Sequence, residues 1–259
     1  MLKIITTLSL FLIGMLAKGQ EVENRTLSSF SKVEVKNGIE LIYNENKTPS
    51  LRIEAENSSV LKNVITEVKG KTLKIYLLKK GNQNEVAKNI KVYLSSEKIT
   101  SFAANSKAKI TVIDPISAEN LAINLKSEGQ FSGIIITKDK TTLIANSGTI
   151  FNGRVETTSF VGNFENNSKI NLSGKTEKAI INASDSSLFE AKNFVAANIV
   201  LNASGKSLAL IYVEKAIAVT VADEAKVSYT GYPEKINLND EAESFQKNST
   251  NKQLVTFNY

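Results

Sequence analysis

Between Ile99 and Tyr229 the apolar residues recur with a period of about twenty. Seven copies line up on Ser106, Ser127, Ser147, Ser168, Ser184, Ser204 and Asp223, with gaps of 21, 20, 21, 16, 20 and 19 residues. Four residues before these centres stand Phe102, Ile123, Leu143, Phe164, Ile180, Val200 and Val219. Four residues after them stand Ile110, Phe131, Phe151, Leu172, Leu188, Leu208 and Val227. All fourteen are apolar, where about six would be at the chain's overall 42%. Positions four apart share parity on a strand and so share a face. Each copy therefore predicts strand, small polar turn, strand, with a buried side chain on either side. Gly129, Gly148 and Gly205 sit beside the centres and predict positive φ there.

One copy cannot bury its apolar residues alone, but stacked copies line them into ladders around a shared core. At about 4.8 Å between strands, seven rungs make a rod about 30 Å long. The period is too short for helical-pair repeats and carries no leucine-rich consensus. The chain thus predicts an all-β fold: a parallel β-helix, or β-solenoid, of about seven rungs over residues 99–245. A β-sandwich with recurring strands is the alternative.

Residues 30–98 predict an N-terminal β region with longer strands that caps the solenoid. Val33 and Val35, then Ile39, Leu41 and Tyr43, alternate with polar neighbours across an Asn37-Gly38 turn or bulge. Leu51, Ile53 and Ala55 alternate again, and Ser58–Asn63 suits a short helix or turn. Ile65–Val68 and Thr72–Leu77 form a hairpin around Lys69-Gly70-Lys71. Residues 79–89 read as a polar loop, and Ile90–Leu94 as a strand. Residues 20–29 read as a loose polar leader. After Tyr232-Pro233, where proline cannot donate to a ladder, Ile236 and Leu238 suit one last strand. Residues 246–259 form a C-terminal tail or cap around Leu254-Val255-Thr256-Phe257.

Residues 1–19 read as a signal peptide: Lys3, an apolar run from Ile4 to Leu16, and Ala17-Lys18-Gly19 before a cut at Gln20. Export by the Sec route to the periplasm, the outer surface or the medium is expected. No cysteine follows the leader and no other stretch is long enough to span a membrane. The cysteine count is zero, so packing and backbone ladders must hold the exported fold. The net charge is +6, falling to +4 without Lys3 and Lys18, and no basic block invites nucleic acid.

Several stretches together resemble one family. Phe30-Ser31-Lys32-Val33-Glu34-Val35, then Asn37-Gly38-Ile39-Glu40-Leu41, the hairpin ending in Leu73-Lys74-Ile75, serial Ser-Gly-like turns, and Tyr229-Thr230-Gly231-Tyr232-Pro233 are similar to the "putative auto-transporter adhesin, head GIN domain" family. The resemblance covers roughly residues 30–245. Here Glu40 replaces the family's usual Asn or Asp, Ser106-Lys107, Ser168-Lys169 and Ser184-Asp185 are degraded turns, and the last turn is only Asn239-Asp240-Glu241. The resemblance implies a secreted β-helical protein of Gram-negative, Bacteroidota-type bacteria, with adhesion as the family's assigned role and no active site to carry over.

The residue chemistry agrees with a non-enzyme. There is no histidine and no cysteine, which removes the commonest general base, nucleophile and soft metal ligands. Asp185 with Glu190, and Asp223 with Glu224, are the acid pairs left for acid–base work or calcium, but no calcium nonapeptide accompanies them. No phosphate loop or dinucleotide fingerprint is present, and Asp114-Pro115 is a turn initiator. No catalytic, cofactor-binding or metal residue is therefore assigned, and no cofactor is expected.

Asn105, Asn124, Asn146, Asn166, Asn182 and Asn202 read as a ladder that hydrogen-bonds along the rod; a sugar-binding stripe is the alternative. Tryptophan is absent, and Phe160, Phe189, Phe194, Tyr212, Tyr229 and Tyr232 are the candidate surface aromatics. The expected function is a cell-envelope binding module for a surface glycan or protein. A polysaccharide lyase or hydrolase and a self-assembling homo-oligomeric envelope protein are the alternatives.

Overall fold

The computed structural model describes residues 20–78 and 89–240. The predicted signal peptide, nearly all of the 79–89 loop and the 246–259 tail lie outside the described residues.

The chain is a parallel β-solenoid of about seven turns. Its N-terminal part holds β1 (Glu21–Arg25), β2 (Lys32–Val35), β3 (Glu40–Glu45), β4 (Ser50–Ala55), helix α1 (Ser58–Asn63), β5 (Val64–Lys69), β6 (Thr72–Leu77) and β7 (Lys91–Ser96). The rungs continue through β8 (Ser101–Ala104), β9 (Lys109–Val112), β10 (Ile116–Lys126), β11 (Gln130–Asn146), β12 (Ile150–Glu165), β13 (Lys169–Ala183), β14 (Leu188–Ala203), β15 (Leu208–Val221), β16 (Lys226–Thr230) and β17 (Lys235–Leu238). Two expectations for the N-terminal part are corrected. Its strands are four to six residues long, whereas β11–β15 reach 14–17 because each sweeps from one tight turn to the next. The polar leader is not loose either: β1 pairs antiparallel with β4 from Glu21↔Ala55 to Arg25↔Leu51. Its stability comes from backbone pairing, which an apolar pattern does not register.

β2 and β3 belong to the stack itself. β2 lies parallel between β6 and β8, and β3 parallel between β7 and β9. Asn37-Gly38, with φ of 62° and 71°, is thus the first of the tight turns. The same left-handed pair recurs at Ser106-Lys107, Ser127-Glu128, Ser147-Gly148, Asn166-Asn167 and Asp185-Ser186. Two successive positive φ values are the signature of the type I′ turn. The turn edge is itself laddered. Gly38 N donates to Ser106 O at 2.9 Å, Lys107 N to Ser127 O at 2.9 Å, Glu128 N to Ser147 O at 2.8 Å, Gly148 N to Asn166 O at 2.8 Å, and Asn167 N to Asp185 O at 3.0 Å.

These turns revise the predicted register in three rungs. The turn residues are Asn166-Asn167, Asp185-Ser186 and Gly205-Lys206, not Ser168, Ser184 and Ser204. Ser168 is fully buried, directly after its turn. A one-residue slip flips every side chain to the other face. Ile181, Phe189, Leu201 and Ala209 accordingly fill the core where Ile180, Leu188, Val200 and Leu208 were expected, and Val200 is 41% exposed. The other ten predicted core residues are buried.

The position directly after each turn points inward and stays small: Ala108, Gly129, Thr149, Ser168, Ser187 and Ser207. At Gly129 the reason is close approach rather than positive φ, since a Cβ there would sit 2.2 Å from Ala104 O. Larger side chains fill the centre as aromatic contacts, Tyr43–Phe102 at 5.0 Å and Phe131–Phe151 stacked at 5.6 Å between ring centroids. At the broad edge opposite the turns, buried Thr137 lies 2.9 Å from Thr141 Oγ1 and donates to Thr157 Oγ1 at 2.7 Å. Thr176 Oγ1 lies 3.1 Å from the carbonyls of Thr158 and Lys178. These hydroxyls satisfy one another and backbone carbonyls along this edge.

Candidate functional site

The four acids weighed from the sequence do not converge. Asp185 sits in its turn and accepts from Ser184 Oγ at 3.0 Å, and Glu190 is exposed on β14. Asp223 accepts from Gly205 N at 2.9 Å, and Glu224 pairs with Lys206 at 3.7 Å. An exposed ion pair of this kind is worth about 0–1 kcal/mol. Among the described residues no group of three or more His, Cys, Asp or Glu side chains is placed to hold a metal.

The aromatic candidates are mostly interior: Phe160, Phe189, Phe194 and Tyr229 are buried, leaving Tyr232 exposed and Tyr212 half-buried. Half-buried Tyr93, under the Arg52 guanidinium at 5.0 Å, was not anticipated. The sequence marks Ile90–Leu94 only as a strand, with no sign of which neighbour its tyrosine meets.

The asparagines divide into two columns. Asn202 Nδ2 donates to Asn182 Oδ1 at 2.9 Å, and Asn182 Nδ2 to Asn163 Oδ1 at 2.8 Å, along one outer face. Asn166 Nδ2 donates to Asn146 Oδ1 at 3.1 Å at the turn edge. Asn105 holds only its neighbour Ser106, and Asn124 stands between Ala103 and Ile144, so neither joins the ladder.

That outer face, formed by the strand halves that precede the turns, carries two adjacent columns. One is Ala122, Thr142, Val161, Ile180, Val200 and Ala218. The other is Asn124, Ile144, Asn163, Asn182, Asn202 and Thr220. None of these twelve is charged, where about three would be at the chain's overall 22%.

Meeting the face at Ala122 and Thr142, at the broad edge formed by β10, β11 and the residues just before β8, lies an open groove of about 730 Å³. Lys98, Thr100, Glu119, Asn120, Asp139 and Lys140 line it above Ile99 and Leu121. β11 carries one residue more here than either neighbour: Ala118–Asn120 of β10 faces Thr137–Lys140, and Ile136–Lys140 faces Glu156–Ser159. Such bulges re-aim side chains, and this one builds a ledge of Asp139 and Lys140. Among the described residues no ion pair engages Glu119, Asp139 or Lys140, although other surface carboxylates such as Glu156 and Glu67 are paired. The groove was invisible in the sequence because its lining comes from three rungs.

A family model described as "Putative auto-transporter adhesin, head GIN domain" matches residues 29–233. The chain belongs to this head GIN domain family. Solved structures share the fold of this chain. A putative adhesin from Parabacteroides merdae is 16% identical, with 85% of this chain and 93% of that one covered at a TM-score of 0.76. A putative adhesin from Bacteroides fragilis is 18% identical, with 86% and 93% covered at 0.62. A protein from Parabacteroides distasonis named a putative lipid binding protein is 16% identical, with 86% and 95% covered at 0.67. At these identities the likeness carries the fold alone. No curated protein matches the chain. Among the described residues no helix is long and apolar enough to cross a membrane.

Proposed function

We propose that the chain is a non-catalytic binding module, exported by its leader and presented at the cell surface or released, which holds a surface polysaccharide in the groove beside β10 and β11. The observation that carries this reading is the groove's uncommitted hydrogen-bonding set. Lys140, Asp139, Glu119 and Asn120 offer donors and acceptors with no ion pair to break, over an apolar floor. A hydroxyl-rich ligand uses both kinds of group, and the volume falls within the range of pre-formed ligand sites. The wall is built on hydrogen-bonded strands, so little ordering cost accompanies binding. The dispersal of the acids supports binding without cleavage, as does the adhesin description of the family. That description also supports a surface or secreted location.

The test incubates the chain from Gln20 onward with a panel of bacterial and host polysaccharides, reading retention and new chain ends from the same tubes. Retention without new ends, reduced at least fivefold by Lys140→Glu or Asn120→Ala, is expected. New chain ends would overturn the non-catalytic reading. Equal retention of both variants and the parent would overturn the groove.

A further inference from the structure

We infer that the charge-free face of β10–β15 is a self-recognition surface on which a second copy of this chain packs antiparallel, with Ile180 at the two-fold axis. The first support is symmetry within the face. The outer column reads Ala122, Thr142, Val161, Ile180, Val200, Ala218, so residue size rises to Ile180 and falls again on both sides. The neighbouring column is centred on the same rung, with Asn182 between Asn163 and Asn202 and the uncharged Ile144 and Thr220 beyond. A closed two-fold contact requires one patch to be complementary to itself, residue i meeting j and j meeting i. Rotated about Ile180, Val161 of one copy meets Val200 of the other. Both copies share the strand spacing of about 4.8 Å, so the columns stay in step along their whole length.

The second support is charge. Without residues 1–19 the chain still carries +4 and repels its own copies, yet the two columns hold no charge, and the column flanking them on this face holds only Lys140 and Lys178. The opposite outer face carries Lys109, Lys169, Glu190 and Lys226 in corresponding positions. The exposed Val200 and the half-buried Val161 and Ile180 supply apolar contact, and the asparagines already bond to one another along the rod. Six strands by two columns offer on the order of 400 Å² per copy, below the roughly 800 Å² of a standard stable interface. The dimer is therefore weak and reversible. Added salt strengthens it by screening the net repulsion, the opposite of a salt-bridged interface.

Sedimentation equilibrium of the chain from Gln20 onward tests this from about 10 to 500 μM. The expected result is a reversible monomer–dimer equilibrium that tightens with salt and is weakened at least tenfold by Ile180→Lys. That position faces outward, so an unchanged thermal melt will show the variant folded. The chain has no cysteine, so single-cysteine variants report the geometry directly. Ile180→Cys is expected to give a covalent dimer on mild oxidation, and Asn171→Cys, on the opposite face of the same rung, is not. A parent that stays monomeric throughout, an Ile180→Lys variant that dimerises like the parent, or equal cross-linking at positions 171 and 180 would each overturn the inference. Polysaccharide retention of Ile180→Lys reads the groove separately, so either proposal can fail without the other.

Discussion

Tyr43 shows what one buried hydroxyl does for this core. Its ring is fully buried against Phe102, and its Oη donates to Ser96 O at 2.7 Å. Burial, then the nearby Glu45 carboxylate, push its pKa well above the ordinary tyrosine value, and burial raises that of Tyr229. A raised folded-state value favours the neutral phenol in the fold. The stability it contributes is fully present below the unfolded value of about 10 and is lost as the pH rises above that. With no histidine in the chain, no side chain titrates at its ordinary value between about pH 6 and 9. Urea midpoints are therefore expected to be flat over that range and to fall beyond about pH 10. Tyr43→Phe should cost about 1 kcal/mol at pH 7 through the lost hydrogen bond, because Ser96 O keeps Asn46 N as a partner at 3.1 Å. It should then lose less than the parent in alkali. Parallel alkaline limbs for parent and variant would show that Tyr43 does not carry the effect. On the acid side, Arg25 beside Glu23, Lys69 beside Glu67 and Arg154 beside Glu156 hold these carboxyls below their usual range, so their contribution fades as the pH falls below about 4.5.

The recurring element is the turn with two left-handed residues, and most of its positions are not glycine. Ser186 holds a φ of 65° after Asp185 at 52°. A left-handed non-glycine residue costs about 1–2 kcal/mol, while Asp-Gly is among the favoured type I′ pairs. Ser186→Gly is therefore expected to raise stability by about 0.5–1 kcal/mol, part of the relief being offset by the looser unfolded chain. That is about 1–4 °C in melting temperature for a chain of this size. Ser186→Val should lower it, because a β-branched side chain resists positive φ. Calorimetry in which valine melts at or above glycine would sink this account of the turn. The same turns explain what was legible in the sequence. Ser, Asn, Asp and Gly mark each turn, but Ser and Gly also fill the inward position directly after it, so Ser168 reads as a turn residue from the sequence. Where apolar residues stand in pairs, as at Ile180-Ile181, Leu188-Phe189 and Val200-Leu201, alternation cannot choose a face and the register slipped by one. Ladder stacking was readable from period and parity. The charge-free face became visible only once Ile180 and Val200 were seen to point outward.

Over the whole molecule, the order of the stack departs from the order of the chain, and this sets which end opens first. β2 and β3 come early in sequence but lie between β6–β7 and β8–β9, so the N-terminal rungs are interleaved. Beyond them the edge is closed by the antiparallel run β1–β4–β7 and by the β5–β6 hairpin, which manages the unpaired backbone that a stack otherwise presents. Arg25 ties these pieces together: Nη1 donates to Val64 O at 2.7 Å and to Thr66 Oγ1 at 3.1 Å, while Glu23 holds the guanidinium at 3.0 Å. At the other end β16 and β17 are five and four residues long and ladder onto β15, whereas β12, β13 and β14 are laddered on both sides over 15–16 residues. In a stacked repeat, stability adds from rung to rung through neighbour contacts, so a short terminal rung opens below the free energy of global unfolding. Native-state hydrogen exchange is expected to show amides of β16 and β17 exchanging at least tenfold faster than the inner-ladder amides of β12–β14. The β2–β3 rung should exchange with the centre despite its early place in the chain. Arg25→Ala should speed exchange in β1 and β5 and leave β12–β14 unchanged. Uniform protection from β2 to β17 would mean that the solenoid opens all at once, and the rung-by-rung account of its stability would then be wrong.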